Sequence, residues 1–267
     1  MNDMIRLIAL DLDNTLLEKN NEIAPVTLSL LQSCSHQGVR TAIATGRILP
    51  SALKYAREIG DDTLIVCYNG CLSIEASGKI LFSRELSTDI MRKVISFSKE
   101  MNLYCQFYKD HKIVVEKVTE GTTIDPDLLN TAAVEVGDFS SYDLSPSPKA
   151  MIVVDPDKLK ETQKALDSYL AGEAYLAQSQ PYLIEIMPKG VNKAHTLELV
   201  CDSLGIDRSQ VMACGDNTND AEMIQWAGTG IAVANSVDII KEKASYVCKN
   251  ERSLGVAEAI RKFVSSF

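Results

Sequence analysis

The sequence predicts an α/β fold: a parallel-sheet core interrupted by an inserted α+β unit. Three observations carry this. Strand and helix patterns alternate three times in the first 70 residues. Short strands then follow one another without crossover helices. After Pro188 the strand–helix alternation returns.

Residues 5–10 form a short apolar run that fits a buried strand. Residues 25–37 fit a helix, with Pro25 at its first position and Gly38 as its stop. A second strand at 39–44 runs into Thr45-Gly46-Arg47, and the helix at 49–59 closes before Gly60. A third strand at 64–68 ends at Asn69-Gly70. Successive units of this kind make right-handed crossovers and a parallel sheet. Each strand therefore brings a polar loop to one sheet edge, where open α/β sheets bind ligands.

After Gly70 the rhythm changes. Residues 72–74 and 80–82 flank Gly78 and fit a hairpin. Ser87 suits the N-cap of a helix reaching Met101. Strands at 104–108 and 113–116 flank Lys109-Asp110-His111, and a polar stretch with Gly121, Pro126 and Ser145-Pro146-Ser147-Pro148 follows. A strand at 150–154, a helix at 157–170 and strands at 175–178 and 183–187 complete this part. Adjacent short strands point to an antiparallel sheet. The expected division is a core of 1–83 and 188–267 with an inserted unit of 84–187. The returning core predicts a helix at 193–204 and a strand at 211–214, ending in Gly215-Asp216-Asn217-Thr218-Asn219-Asp220. A helix stopping near Gly228, a strand at 231–233 and helices at 237–243 and 254–267 finish the chain.

A chain of 267 residues can bury a sizeable core. The net charge of -9 argues against a general binder of nucleic acid or anionic membrane. Seven cysteines show no C-x-x-C pairing, so buried free thiols in a reducing compartment are expected. No basic, then apolar leader opens the sequence, and no apolar run reaches about 18 residues. A cytoplasmic protein is the expectation. The sequence carries no signal for an oligomeric state.

Acids cluster where strands end. Asp11 and Asp13 follow the first strand and share one side of an extended segment. A plain polar turn would also account for them. Two lookalikes, Asp125-Pro126-Asp127 and Asp155-Pro156-Asp157, read as helix starts, with Asp as cap and Pro at the first position. Asp216 and Asp220 form a second acidic group. Oxygen-only ligands suit Mg2+, although a solvated loop with Thr218 or Asn219 as helix cap also fits. Thr45 and Gly46 suit phosphate oxygens or an ordinary helix start. Lys193 opens a helix, where the dipole disfavours a cation, so another demand must hold it. His36, His111 and His195 share no metal-ligand spacing.

Together these motifs become specific. Asp11-x-Asp13-x-Thr15, Thr45, Lys193 and Gly215-Asp216-x-x-Asn219-Asp220 resemble, in order and separation, the four motifs of the haloacid dehalogenase superfamily of phosphohydrolases. Asn69-Gly70 and Gly230-x-Ala232-x-x-Asn235 resemble its Cof-like group with a C2-type cap, and the likeness spans essentially the full chain. Two departures stand out. Asn14 replaces a frequent Gly, and Ala234-Asn235-Ser236 replaces the usual Gly-Asn-Ala.

The resemblance implies a Rossmann-like core whose cap covers the active site, with hinges near 82–85 and 187–189. It implies that Asp11 is a nucleophile forming an aspartyl-phosphate and Asp13 the acid/base. Mg2+ would be held by Asp11, the carbonyl of Asp13 and Asp216, with Asp220 orienting the shell. Thr15, Thr45, Gly46, Lys193 and Asn219 would serve phosphate, and Arg47 and Asn69 the substrate. The expected activity is Mg2+-dependent hydrolysis of a small phosphorylated metabolite, sugar phosphates foremost. A phosphomutase is the nearest alternative. A receiver-like phospho-accepting domain would be much shorter and capless. A non-catalytic regulatory protein of the same fold would not need the intact acid set.

Overall fold

The computed structural model describes residues 4–123 and 132–264. The chain divides into two units. One comprises the described residues through Gly46, Ala52–Phe82 and the residues from Asn192 onward; the other comprises Arg47–Ser51 and Ser83–Val191.

The core elements before the insertion are β1 (Leu7–Leu10), α1 (Pro25–His36), β2 (Arg40–Ala44), α2 (Leu49–Ile59), β3 (Leu64–Cys67), β4 (Leu72–Glu75) and β5 (Ile80–Ser83). The second unit supplies α3 (Thr88–Glu100), β6 (Tyr104–Lys109), β7 (Lys112–Val115), α4 (Glu120–Thr123), β8 (Ala133–Glu135), β9 (Ala150–Val153), α5 (Leu159–Leu170), β10 (Ala174–Ala177) and β11 (Leu183–Pro188). The core resumes with α6 (Lys193–Leu204), β12 (Val211–Gly215), α7 (Ala221–Trp226), β13 (Thr229–Ala232), α8 (Asp238–Lys243), β14 (Tyr246–Val247) and α9 (Arg252–Phe263).

The core sheet has the order β14-β13-β12-β1-β2-β3-β4-β5. From β14 to β3 all neighbours are parallel, and β4 returns antiparallel to β3. β1, β3 and β12 are buried at every position. Their sequences are continuous apolar runs because helices cover both faces of a parallel sheet. Leu7, Ala9, Ala42, Ala44, Val66, Val211 and Ala213 line one face and pack on Ala194, Leu197, Val200 and Met223 of α6 and α7.

The second unit has a six-stranded sheet of order β10-β11-β9-β6-β7-β8. It is antiparallel except for the β7–β8 pair. Phe107, Ile152, Ile184 and Ile186 on one face meet Met91, Val94 and Ile95 of α3 and Leu159, Leu166 and Leu170 of α5. Ser87 caps α3 as its residue type predicts, its hydroxyl accepting from the Ile90 amide at 3.3 Å. Asp155 likewise caps the turn before α5 by accepting from the Asp157 amide at 3.0 Å. The other lookalike, 125–127, lies outside the described residues. β8 and β14 are departures from the sequence expectation. With three and two residues, neither is long enough to show a period.

All seven cysteines are free, and only Cys105 is more than marginally exposed. Among the described residues, no helix is long and apolar enough to cross a membrane.

Glu258 of α9 fastens the loop after β14. Its carboxylate accepts from the Tyr246 hydroxyl at 2.7 Å, the Lys249 and Asn250 amides and the Asn250 side chain at 2.7 Å. Partial burial pushes its pKa up, but these donors outweigh it and hold the group at about 2. An acid depressed on folding stabilises above its unfolded pKa of about 4.3 and loses that contribution as pH falls through the folded value. Acid titration of the melting temperature should therefore show a decline from about pH 4.3 toward pH 2. Glu258→Gln should lower stability at neutral pH and flatten that decline.

Candidate active site

β1, β2 and β12 lie side by side, with Leu10 opposite both Ile43 and Cys214. Parallel pairing brings Asp11, Thr45 and Asp216 out at one edge of the sheet. After Asp11 and Asp13, both extended, the backbone turns sharply at Asn14, whose φ is +62°. That left-handed conformation explains the departure from Gly here, since Asn tolerates it better than other side chains. The Leu16 amide closes back on the Asp11 carbonyl at 3.1 Å, and buried Leu12, Thr15 and Leu16 anchor the turn.

Lys193 stands in the first turn of α6 behind Asn192, whose side chain caps the helix by accepting from the His195 amide at 2.8 Å. The demand that overrides the helix dipole is now visible. The Lys193 ammonium donates to Asp11 Oδ1 and Asp220 Oδ1, each at 2.6 Å. Its side chain is 1% exposed. Burial opposes that charge, but Asp11 and Asp220 outweigh it and hold the Lys193 pKa above the ordinary lysine value.

The four acids do different work. Asp220 Oδ2 accepts from the Asp216 and Asn217 amides at 3.0 and 3.1 Å, so both its oxygens are engaged within the protein. Gly215 is required beside it, because a Cβ there would lie 2.6 Å from the Asp220 side chain. Asp216 Oδ1 accepts from the Thr15 hydroxyl at 2.8 Å. Thr15, expected among the phosphate contacts, is buried and gives its hydroxyl to Asp216. Asp11 Oδ2 and Asp216 Oδ2 accept no hydrogen bond from any described residue. Burial first, then the Asp220 charge, raise the pKa of Asp11, with Lys193 opposing. The same two causes raise Asp216 to about 7 against the Thr15 hydrogen bond.

Oxygens of Asp11, Asp216 and Asp220 lie within 4.8 Å of one another. Asp13, half-buried on the same loop, adds a fourth negative charge near Asp11 and Asp216. The one Lys193 ammonium does not balance the three clustered carboxylates of Asp11, Asp216 and Asp220. An all-oxygen set with two oxygens lacking donors fits a hard divalent cation. Among the described residues, no other three histidine, cysteine or acidic side chains bring their ligand atoms within 4.8 Å of one another.

The remaining loops are stitched to this edge. The Asn69 amide donates to the Thr45 carbonyl at 2.9 Å, and Asn219 Nδ2 donates to Asn69 Oδ1 at 3.2 Å. Asn219, expected to serve phosphate or its carboxylate neighbours, directs its amide to Asn69. Gly70, at φ +107°, presses against α6, where a Cβ would sit 2.4 Å from the Asn192 carbonyl oxygen. Its own carbonyl accepts from Thr196 Oγ1 at 2.7 Å. Thr45 is buried beyond β2, Gly46 follows it, and buried Arg47 begins the segment that belongs to the second unit. Helix capping after β12 falls to Asn217, which accepts from the Thr218 amide at 2.7 Å, rather than to Thr218 or Asn219. Asn192 and Thr196 were missed from sequence. An Asn directly before a helix start is the signal that could have found the first.

The sequence pattern of haloacid dehalogenase-like hydrolases matches residues 8–260. The chain belongs to that family. Within it, the chain is a Cof-like phosphatase, as its relatives show. It is 29% identical over 269 residues to a Bacillus subtilis 5-amino-6-(5-phospho-D-ribitylamino)uracil phosphatase, covering 97% of each chain. It is 26% identical to an HMP-PP phosphatase of Yersinia pseudotuberculosis, covering 98% of this chain and 97% of that one. The crystal structure of a haloacid dehalogenase-like hydrolase from Bacteroides thetaiotaomicron matches at a TM-score of 0.83 with 30% identity, over 97% of this chain and 99% of that one.

Replacing Lys193 by Met should leave two buried carboxylates without their cation. Removing one partner of a buried ion pair costs roughly 3–5 kcal/mol. Thermal melts of metal-free K193M should show a loss of that order at pH 7. The deficit should shrink toward pH 4 as the orphaned acids take up protons.

Proposed function

We propose that this phosphatase is a Mg2+-dependent phosphomonoester hydrolase acting on a small phosphorylated metabolite through an aspartyl-phosphate at Asp11. The observation that carries the reading is the division of oxygens: Asp11 has one oxygen bonded to Lys193 and one without a donor. Asp11, Asp216 and the Asp13 carbonyl would hold the Mg2+, with Asp220 fixing their placement. The bound ion would supply the positive charge that lets a carboxylate approach a phosphate dianion.

Uncatalysed monoester hydrolysis is among the slowest of reactions, with accelerations reaching about 10^21. A covalent intermediate divides it into two easier steps. The Asp11 carboxylate attacks phosphorus, the bond to the ester oxygen breaks, and Asp13 gives that oxygen its proton. Asp13 then takes a proton from the water that cleaves the acyl phosphate, which restores Asp11 and releases phosphate. A separate acid/base is needed because Asp11 is consumed as nucleophile. Asp13 is more exposed than Asp11, which suits a group that must meet leaving group and water. Lys193, Thr45 and the Gly46 amide stabilise charge developing on the phosphoryl oxygens. Asn69 is assigned to the substrate, and sugar phosphates are the favoured class. Seven free thiols support a cytoplasmic location.

Phosphate release from 4-nitrophenyl phosphate should require added Mg2+ and vanish with chelator. Asp11→Asn should lower kcat by at least about 10^3-fold. Activity that survives in D11N would overturn the nucleophile assignment.

Metal should also remove a pH trend. Asp216 sits at about 7 when folded, against about 3.9 when unfolded. An acid raised on folding binds more protons in the native state, so stability falls as pH rises from about 4 toward 7. Metal-free melts should follow that decline, and saturating Mg2+ should abolish it.

A further inference from the structure

One family-like motif found in the sequence has no part in the chemistry above: the loop after β13, Ala234-Asn235-Ser236. Its side chains and backbone reach both acid-bearing loops. Asn235 Nδ2 donates to the Asn14 carbonyl at 2.8 Å, next to Asp13. Asn235 Oδ1 accepts from the Arg252 amide at 2.8 Å, at the start of α9. The Ser236 hydroxyl donates to the Gly215 carbonyl at 3.1 Å, and the Val237 amide donates to the Asp216 carbonyl at 2.9 Å. A strap of three residues thus spans from the first acid loop to the second.

The strap meets the backbone at two left-handed positions. Asn14 and Arg252 both have left-handed backbone, at φ +62° and +48°, and neither is glycine. Such residues persist where the surroundings over-determine them. A single side-chain amide touches both. Ser236, where Ala is usual, supplies the hydroxyl that reaches Gly215.

We infer that Asn235 is a positioning residue for Asp13: its amide fixes the turn at Asn14 and so sets where the Asp13 carboxyl meets the ester oxygen. The inference rests on the proposed acid role of Asp13. It acts through the backbone, since Asn235 touches the carbonyl after Asp13 and not the carboxylate. The donor and acceptor ends of Asn235 have separate consequences. Asn235→Asp keeps an acceptor for the Arg252 amide, and with it the start of α9, but loses the donor to Asn14.

Leaving-group dependence separates positioning from scaffolding. An aryl phosphate departs with little help from an acid, whereas an alkyl phosphate needs its oxygen protonated. The test compares kcat/KM, which reports formation of the phospho-enzyme, for 4-nitrophenyl phosphate and β-glycerol phosphate. In N235D the alkyl ester should lose roughly tenfold more than the aryl ester, in line with the cost of misplacing a catalytic group. Melting temperature should stay within a few degrees of wild type. Equal losses for both esters, or none, would overturn the inference. Asp13→Asn serves as reference. If D13N itself shows no leaving-group bias, the acid assignment fails; if D13N shows the bias and N235D does not, the strap alone fails. Should N235D not fold, the same ratio is read in N235A.

Discussion

A single buried ammonium, that of Lys193, joins Asp11 to Asp220, and the arrangement of the edge follows from it. Three constraints meet at that point. The cation must reach Asp11 at the end of β1 and Asp220 beyond β12, so α6 must begin where it does. Its position in the first turn opposes the helix dipole, a cost of about 0.3–1 kcal/mol, small beside the cost of two unpaired buried carboxylates. The close approach of Gly70 to the Asn192 carbonyl, and the Thr196 hydrogen bond to Gly70, seat α6 against the third strand-end loop.

Three of the acids are ordered by how much of their hydrogen-bonding capacity the protein has already used: Asp220 has both oxygens engaged, while Asp216 and Asp11 have one each. Asp13 differs from them by its exposure. These differences turn four chemically identical side chains into parts with different duties. A carboxylate already saturated by amides and an ammonium is a support. One with a bare oxygen, held from the other side, is oriented for a ligand or for attack. Burial first, and the Asp220 charge second, hold the carboxyls of Asp11 and Asp216 above the ordinary carboxylate range.

Much of this was legible in the sequence, for physical reasons. The strand–helix alternation shows because fully buried parallel strands are unbroken apolar runs, and Pro25, Gly38 and Gly60 mark helix ends. Ser87 and Asp155 could be read as caps because capping is local, acting over two or three residues. The hydrogen bond of the Thr15 hydroxyl could not be read, since its partner, Asp216, is 201 residues away. The Asn69–Asn219 bond, 150 residues apart, and the Asn235–Asn14 bond, 221 apart, were hidden for the same reason. Short strands such as β8 were lost because pairing, not pattern, makes them strands.

The same separations bear on how the chain is made. β1 is the middle of the finished sheet, yet one of its two neighbours, β12, begins 204 residues after it, from Leu7 to Val211. At a synthesis rate of roughly 5–20 residues per second, about 10–40 s pass between the two. During that interval β1 and β2 can pair, while the other edge of β1 stays open with its backbone groups unsatisfied. That edge is the apolar run Leu7–Leu10, the type of segment that recruits foreign strands. Arg6 before it and Asp11 after it flank the run with charge. Asp11, which has no Lys193 to pair with until α6 is translated, would then act on the ribosome as a gatekeeper against aggregation, well before it meets any phosphate.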